Sequence, residues 1–305
     1  MSGNYGKFSK KSGGYRIENL PDAGNYEYIY KNDEILVKVD QYGIVTAQIN
    51  PPVGEAVFKR EECEVGSPVK VYFSDGENVF NNFDVLRADK LTIDFLPEKS
   101  TYRLTFGKTE VVTELFATEK DKRFVMNFTV KNLSEKVKEY SVLECAFPYL
   151  NELLMAPWDK PEWYTRTEYL KDKNAFLTTK YSVAGKKEER RYLTVVSNND
   201  ADSRELSLER LISATRNFSV IPEKIGGITE DRLYAFKQCV STLKSVNLKG
   251  GESYSFTQVF AVSDDDEKIA ESIENSKKYF DLQAQKTEEE KLAEKYAVLF
   301  SVRTV

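Results

Sequence analysis

Apolar and polar residues alternate with a period of two over the first half of the chain, the pattern of strands that bury one face. From about Tyr15 to Tyr149 the sequence reads as strand after strand. Glu27 to Val39 forms two short runs around Asn32-Asp33, residue types that tolerate the positive φ of a tight hairpin. Tyr42–Ile49, Ala56–Lys59, Val69–Phe73 and Phe80–Leu86 follow, each ended by Gly, Pro, Asn or Asp, and Leu91–Leu96 and Tyr102–Phe106 alternate. Longer runs cover Val111–Thr118, Phe124–Val130 and Val137–Tyr149. The Arg123–Val130 run, the link Lys131-Asn-Leu-Ser134 and the polar-alternating return predict a hairpin with one half-buried face. From Asn151 to about Ile228 the pattern is more broken, with strands predicted at Ala175–Val183 and Arg191–Ser197. Cys239–Leu248 and Tyr254–Val262, turning at Lys249-Gly250-Gly251, predict one more strand pair that closes the structure.

Beyond Val262 the period becomes helical. Asp264 with Glu267, and Thr287 with Glu290, match the capping box that opens helices. Ile269, Ile273 and Phe280 fall roughly on one face, and Leu292, Tyr296, Leu299 and Phe300 form an amphipathic stripe. Two arrangements satisfy that stripe: it docks back on the strands, or it meets a further domain. The first 14 residues are polar and read as a loose arm. So many antiparallel strands at about 8–12-residue spacing predict a mainly β fold, a large sandwich over residues 1–262, with a helical segment over 263–305.

Composition narrows the chemistry. Among 305 residues there are 18 Tyr and 18 Phe against 2 Trp and 3 Met, which suits a pleated interior. There is no histidine, so no Ser-His-Asp triad, imidazole base or imidazole metal ligand can form from this chain. Cys63, Cys145 and Cys239 lack the paired spacing of a zinc or iron–sulfur site and are expected to be reduced and packed. A net charge of −5 lacks the basic excess that displaces counterions from nucleic acid. No run approaches the roughly 20 apolar residues of a membrane span, and no signal-peptide pattern opens the sequence. With the unpaired cysteines, these features predict a cytoplasmic protein.

Carboxylate pairs such as Glu61-Glu62 lie on turn signals, and Gly13-Gly14 and Gly226-Gly227 lack the strand-before, helix-after context of a phosphate loop. The segment Trp158-Asp-Lys-Pro-Glu-Trp-Tyr-Thr-Arg166 stands apart. It places Trp158, Trp163, Tyr164 and Arg166 in one turn-prone stretch. Aromatic faces stack on sugar rings, while guanidinium and carboxylate bind hydroxyls or a phosphate. The alternative is that the two indoles plug the edge of the sandwich.

The order of segments resembles the N-terminal β-supersandwich domain of the family 94 glycoside phosphorylases, the cellobiose, chitobiose and β-1,2-oligoglucan type. The resemblance covers nearly the whole chain. Tyr5-Gly-Lys-Phe8, Tyr15-Arg-Ile17 and Asn25-Tyr26 are similar to the family's start, and Val71-Tyr-Phe-Ser-Asp75 to its strand ending in Asp. Arg103, Gly107 and Thr109 match its Arg-His-Gly-Leu-Gly-Tyr-Thr segment, with Leu104 in place of the histidine and Lys108 of the tyrosine. Asn132-Leu-Ser134 matches an Asn-Thr-Ser link, Tyr164 and Arg166 an aromatic-x-Arg loop, and Leu248-Lys-Gly-Gly-Glu252 a late Leu-x-Pro-Gly-Glu turn.

The resemblance implies a galactose-mutarotase-like supersandwich followed by two linker helices leading to an (α/α) barrel, at whose boundary the chain stops. It implies no catalytic residue and no cofactor in this chain, with inorganic phosphate as co-substrate of the full enzyme. It also implies a β-linked gluco-oligosaccharide ligand, an (α/α)-barrel partner and a homodimer. Arg103, Trp158, Trp163, Tyr164 and Arg166 become the expected carbohydrate-binding residues. The alternative reading is a stand-alone carbohydrate-binding module. An epimerase is disfavoured because the related mutarotases use histidine at the reactive centre.

Overall fold

The fold is a computed structural model that describes residues 7–9, 13–20, 26–50, 54–59, 67–152, 164–181, 189–226, 232–234 and 237–301. The first part of the chain forms β1 (Lys7–Ser9), β2 (Gly14–Ile17), β3 (Glu27–Lys31), β4 (Ile35–Asp40), β5 (Val45–Ile49), β6 (Glu55–Phe58), β7 (Val69–Ser74), β8 (Val79–Asn81) and β9 (Lys90–Phe95). The middle forms β10 (Ser100–Phe106), β11 (Thr109–Ala117), β12 (Arg123–Asn132), β13 (Lys138–Ala146), β14 (Asn151–Glu152), β15 (Thr165–Leu170), β16 (Ala175–Lys180) and β17 (Arg191–Ser197). Then come β18 (Ser203–Ser207), α1 (Leu208–Ala214), β19 (Arg232–Tyr234), β20 (Gln238–Leu248), β21 (Ser253–Ser263), α2 (Ile269–Lys277) and α3 (Leu282–Ser301).

The strands make three antiparallel sheets. One has eleven strands in the order β1-β2-β9-β10-β11-β12-β21-β17-β16-β15-β19. Two of five strands, β18-β20-β13-β7-β8 and β14-β6-β5-β4-β3, lie against its inner face. Aromatic rings join the layers. Phe124 and Phe260 sit opposite each other on β12 and β21 with ring centroids 4.5 Å apart, and Phe58 of β6 meets both edge-on at 5.9 and 5.5 Å. Phe73 of β7 reaches Phe106 at 5.7 Å and Phe128 at 6.4 Å. Such pairs are each worth about 0.5–1.5 kcal/mol beyond the area they bury.

The two predicted pairs at 123–149 and 239–262 are not hairpins. Strand β12 pairs with β11 and β21 in the large sheet, whereas β13 pairs with β7 and β20 in a small one. Likewise β20 and β21 belong to different sheets. Both connections are arches that carry the chain across the core, and they brace each other. The Asn132 side chain donates to the carbonyls of Lys136 (2.7 Å) and Leu248 (2.9 Å) and accepts from Ser134 N (2.9 Å). Its backbone N–H donates to Glu252 O, and its carbonyl accepts from Gly251 N. Gly251 turns with φ +81, and a Cβ on Gly250 would stand 2.5 Å from Ser134 O.

A buried carboxyl lies between the large sheet and a small one. Glu144 of β13 is 1% exposed. It accepts from the Asn199 and Gln258 amides, and Ser197 Oγ approaches at 3.4 Å. The Tyr254 phenol donates to Asn199. Burial raises the Glu144 pKa to about 7 despite these donors, because loss of water disfavours the charged form.

The outer face of the large sheet is covered by the C-terminal helices. Ile273 of α2 packs on Ala175 and Val196, with Ile269 and Phe280 alongside. Leu292 of α3 packs on Phe116, Val125 and Val259. Leu292 therefore docks back on the sandwich; the side chains of Tyr296, Leu299 and Phe300 lie outside the described residues. Polar ties fix the helices in register. Asn127 Nδ2 donates to Gln285 Oε1 at 2.6 Å, Glu119 N donates to Glu288 at 2.6 Å, and Arg123 Nε donates to Ser276 Oγ at 3.2 Å. Burial would lower the Lys99 ammonium, yet Glu114 at 2.8 Å and Glu289 at 3.1 Å hold its pKa above the ordinary value.

Both predicted helix starts shift. Asp265 caps the turn by accepting from Glu267 N at 3.0 Å, while Asp264 pairs with Lys122 and Arg191. Asp281 opens α3 by accepting from Gln283 N at 2.9 Å, and Thr287 lies within the helix, donating to Gln283 O. The predicted 80–86 strand ends at Asn81, whose side chain accepts from Phe83 N at 2.9 Å and turns the chain. Strands β15 and β18 and helix α1 occupy stretches whose polar composition left no strand or helix expected. Cys145 and Cys239 are free thiols and buried, and Cys63 lies outside the described residues. No helix among the described residues is long and apolar enough to cross a membrane.

Asn132→Ala strips partners from two carbonyls and an N–H, so urea unfolding is expected to show a loss of about 2–3 kcal/mol. The Glu144 carboxyl has a folded pKa of about 7, above an unfolded value of about 4.3. Its proton therefore stabilises the fold fully below the unfolded pKa, and that contribution is lost as pH rises through about 7. Against Glu144→Gln, which does not titrate, the wild type should lose up to ~3 kcal/mol of relative stability between about pH 4 and pH 8. A constant difference across that range would refute the assignment.

Candidate functional site

Strand β15 carries the polar end of the large sheet. Its first residues pair with β16, and Tyr164 just ahead of it accepts at its carbonyl from Tyr181 N at 2.7 Å. Arg166 stands opposite Thr179 on β16 and Tyr234 on β19. Its guanidinium forms an ion pair with Glu168, two residues on and on the same face by the period of a strand. Glu168 is buried, so this pair is shielded from the solvent that weakens surface ion pairs. The Arg190 guanidinium lies 5.6 Å from the Tyr181 ring, whereas Arg191 projects from the opposite face of its strand, with Nη2 2.8 Å from Glu55 on β6. The corner thus presents planar cations and phenols, groups that hydrogen-bond hydroxyls or phosphate oxygens and cover apolar ring faces.

Trp158 and Trp163, the two indoles expected beside Arg166, lie outside the described residues. Arg103 is on β10, exposed, with Glu110 of β11 at 3.3 Å. Register places both arginines on one face. Arg103 aligns through Val112 and Thr129 with Ser255, and Arg166 through Thr179 and Tyr192 with Ser263. Ser255 and Ser263 are an even number of residues apart on β21, so their side chains project to the same side. The structure does not bring the arginines together: β10 and β15 are six strand spacings apart, roughly 29 Å. Between them the face is occupied by α2 and α3.

The face therefore divides into two exposed margins and a helix-covered centre. At the centre, burial first, and then the Glu288 and Asp121 charges, push the Tyr279 phenol up to about 12. The Arg123 guanidinium lies 5.7 Å from the same ring. Sequence analysis named Tyr164 and Arg166 but not Glu168, Tyr181 and Arg190, which the structure sets at the same corner. Glu168 was detectable, since a carboxylate at i+2 from an arginine in a strand shares its face. Tyr181 and Arg190 come together through the pairing of β15, β16 and β17, which no local spacing encodes.

The chain is similar to a human-microbiome protein described as a kojibiose phosphorylase, with a TM-score of 0.55, 6% identity, and 94% of this chain and 38% of that one covered. It is also similar to a bacterial glucoamylase complexed with acarbose, with a TM-score of 0.55, 10% identity, and 92% and 40% covered. The chain thus spans about two fifths of the length of either structure. At these identities the likeness establishes the fold. No curated protein matches the chain. Residues 74–279, from the end of β7 through α2, match the family described as Glycosyl hydrolase 94, supersandwich domain, and the chain belongs to that family.

Proposed function

We propose that the chain is the non-catalytic carbohydrate-binding and assembly part of an inverting glycoside phosphorylase. The family match over residues 74–279 carries this reading, because the supersandwich domain is non-catalytic in the enzymes of that family. Inverting phosphorolysis needs one carboxylic acid to protonate the leaving oxygen while inorganic phosphate attacks the anomeric carbon from the opposite face. In this reading the acid sits on an (α/α) barrel, as a further domain or a separate subunit. The substrate is a β-linked gluco-oligosaccharide, the products include a sugar 1-phosphate, and the working assembly is a homodimer.

The sandwich contributes a margin of that site. Arg166, oriented by Glu168, and Tyr164 hold sugar hydroxyls or the phosphate, with Trp158 and Trp163 as stacking surfaces. Arg103 lies on the far margin of the same face and contacts a remote sugar unit or the partner. The helices across the centre of the face lead the chain from the sandwich toward the barrel.

The test is complementation. Adding the chain to a separately produced barrel should restore phosphate-dependent release of glucose 1-phosphate from a cello-oligosaccharide. Arg166→Ala should lower the restored rate by about tenfold or more. A barrel that is fully active by itself would sink the proposal.

A further inference from the structure

The outer face of the β18-β20-β13-β7-β8 sheet points away from Arg166 and the C-terminal helices, across the full thickness of the core. There β7, β8 and the turn after α1 enclose an open groove of about 340 Å³, at the lower end of the size range of small-ligand pockets. Tyr72 points outward into the cluster with Leu143 and Leu211, while its neighbours Val71 and Phe73 join the main core. Phe218 stacks on Tyr72 with ring centroids 4.4 Å apart and planes at 12°.

Polar groups of both kinds line the rest. Arg87 donates to Asp84 at 3.0 Å and to Val79 O at 3.0 Å, and its guanidinium lies 4.7 Å from the Phe80 ring centroid. That fixes its plane and leaves further N–H groups with no hydrogen bond to a described residue. Asn81 uses its side-chain carbonyl on Phe83 N at 2.9 Å, which leaves its NH₂ to donate. Asn217 adds a second amide. Half-burial lifts the Asp84 carboxyl above its ordinary pKa even with Arg87 beside it.

The wall nearest α1 is strained. Arg216, Asn217 and Phe218 have φ of 47, 55 and 58. Three successive non-glycine residues thus lie in the left-handed region that L side chains rarely adopt, Asn most readily among them. The buried Thr215 hydroxyl holds the turn, donating to Leu211 O at 2.7 Å and accepting from Phe218 N at 3.1 Å. Asn217 N donates to Ile212 O at 2.8 Å. Glycine would adopt the same backbone freely, yet the chain places an amide and a ring on the groove at these positions. Strain held in place where side chains meet a cavity is a mark of binding sites.

The Asp84 and Arg87 charges cancel, so the groove favours neither an anion nor a cation. What remains is a set of paired donors and acceptors beside an aromatic ring, which matches vicinal hydroxyls on a ring with an apolar face. We propose that this groove binds one neutral sugar ring of an oligosaccharide. Asp84, Arg87, Asn81 and Asn217 take its hydroxyls, and Phe218 packs against its C–H face. The inference goes beyond the phosphorylase reading and needs no barrel.

Calorimetry of the full chain with cellotetraose, maltotetraose and inorganic phosphate tests it. At least one tetrasaccharide should bind, and phosphate should not. Asp84→Ala should weaken saccharide binding at least about fivefold. Asn217→Gly should weaken it comparably while holding or raising the melting temperature, since it relieves strain and removes the amide. Absence of saccharide binding, binding of phosphate alone, or full binding in both groove variants would overturn the proposal. Asn217→Gly should still complement a barrel normally, so failure of the groove and failure of the phosphorylase reading give different results.

Discussion

A sheet of eleven strands has two faces, and its middle strands must bury both. Everything else in this protein follows from that requirement. The inner face of β12, β21 and β17 takes the aromatic contacts of the two small sheets, and the outer face takes Ile273, Leu292 and their neighbours. Without α2 and α3, Phe116, Val125 and Val259 would face water from the centre of the sheet. The helices are thus part of the sandwich. Their polar ties through Gln285, Glu288 and Ser276 set where on the face they lie. That placement in turn decides which margins of the sheet stay open for ligands.

The arches meet the same requirement from within the chain. A hairpin keeps both strands in one sheet, whereas an arch delivers successive strands to opposite layers and closes the core between them. Two arches at one end, braced through Asn132 and the close approach of Gly250 to Ser134, hold the layers together. Buried polar groups are accepted at these crossings because each is met by partners: Asn132 by three backbone groups, Glu144 by two amides. A carboxyl so enclosed titrates near neutrality, which ties the stability of the layer contact to pH.

The two surfaces proposed to bind ligands lie on opposite sides of this core. One, around Arg166 and Glu168, lies on the face that the helices share. The other, around Asp84, Arg87 and Asn217, lies on the far side, against a turn whose backbone strain has no role in the main core. Both set a guanidinium beside a carboxylate, and both stand on strands and tight turns that the layers make rigid.

Strand positions were legible because each has one apolar face at period two: Arg191–Ser197 and Leu91–Leu96 match the structure to within a residue. The change to helical period after Val262, the face formed by Ile269, Ile273 and Phe280, and the turn at Gly251 were legible for the same reason, since local backbone and side-chain geometry set them. What a strand pairs with is not local. Asn-Leu-Ser and Lys-Gly-Gly signal a change of direction equally well in a hairpin and in an arch, and only the competition of distant strands for β12 and β21 chose the arch. The same holds for Asp264, drawn from a capping role to Lys122 and Arg191, and for the groove at Asn217, whose members come from three parts of the chain. Period and turn chemistry act over a few residues, so the sequence by itself determined most of the elements, with β15, β18 and α1 the exceptions. Sheet membership, the helix-covered face and both candidate sites depend on contacts across many tens of residues, and the tertiary structure decided those.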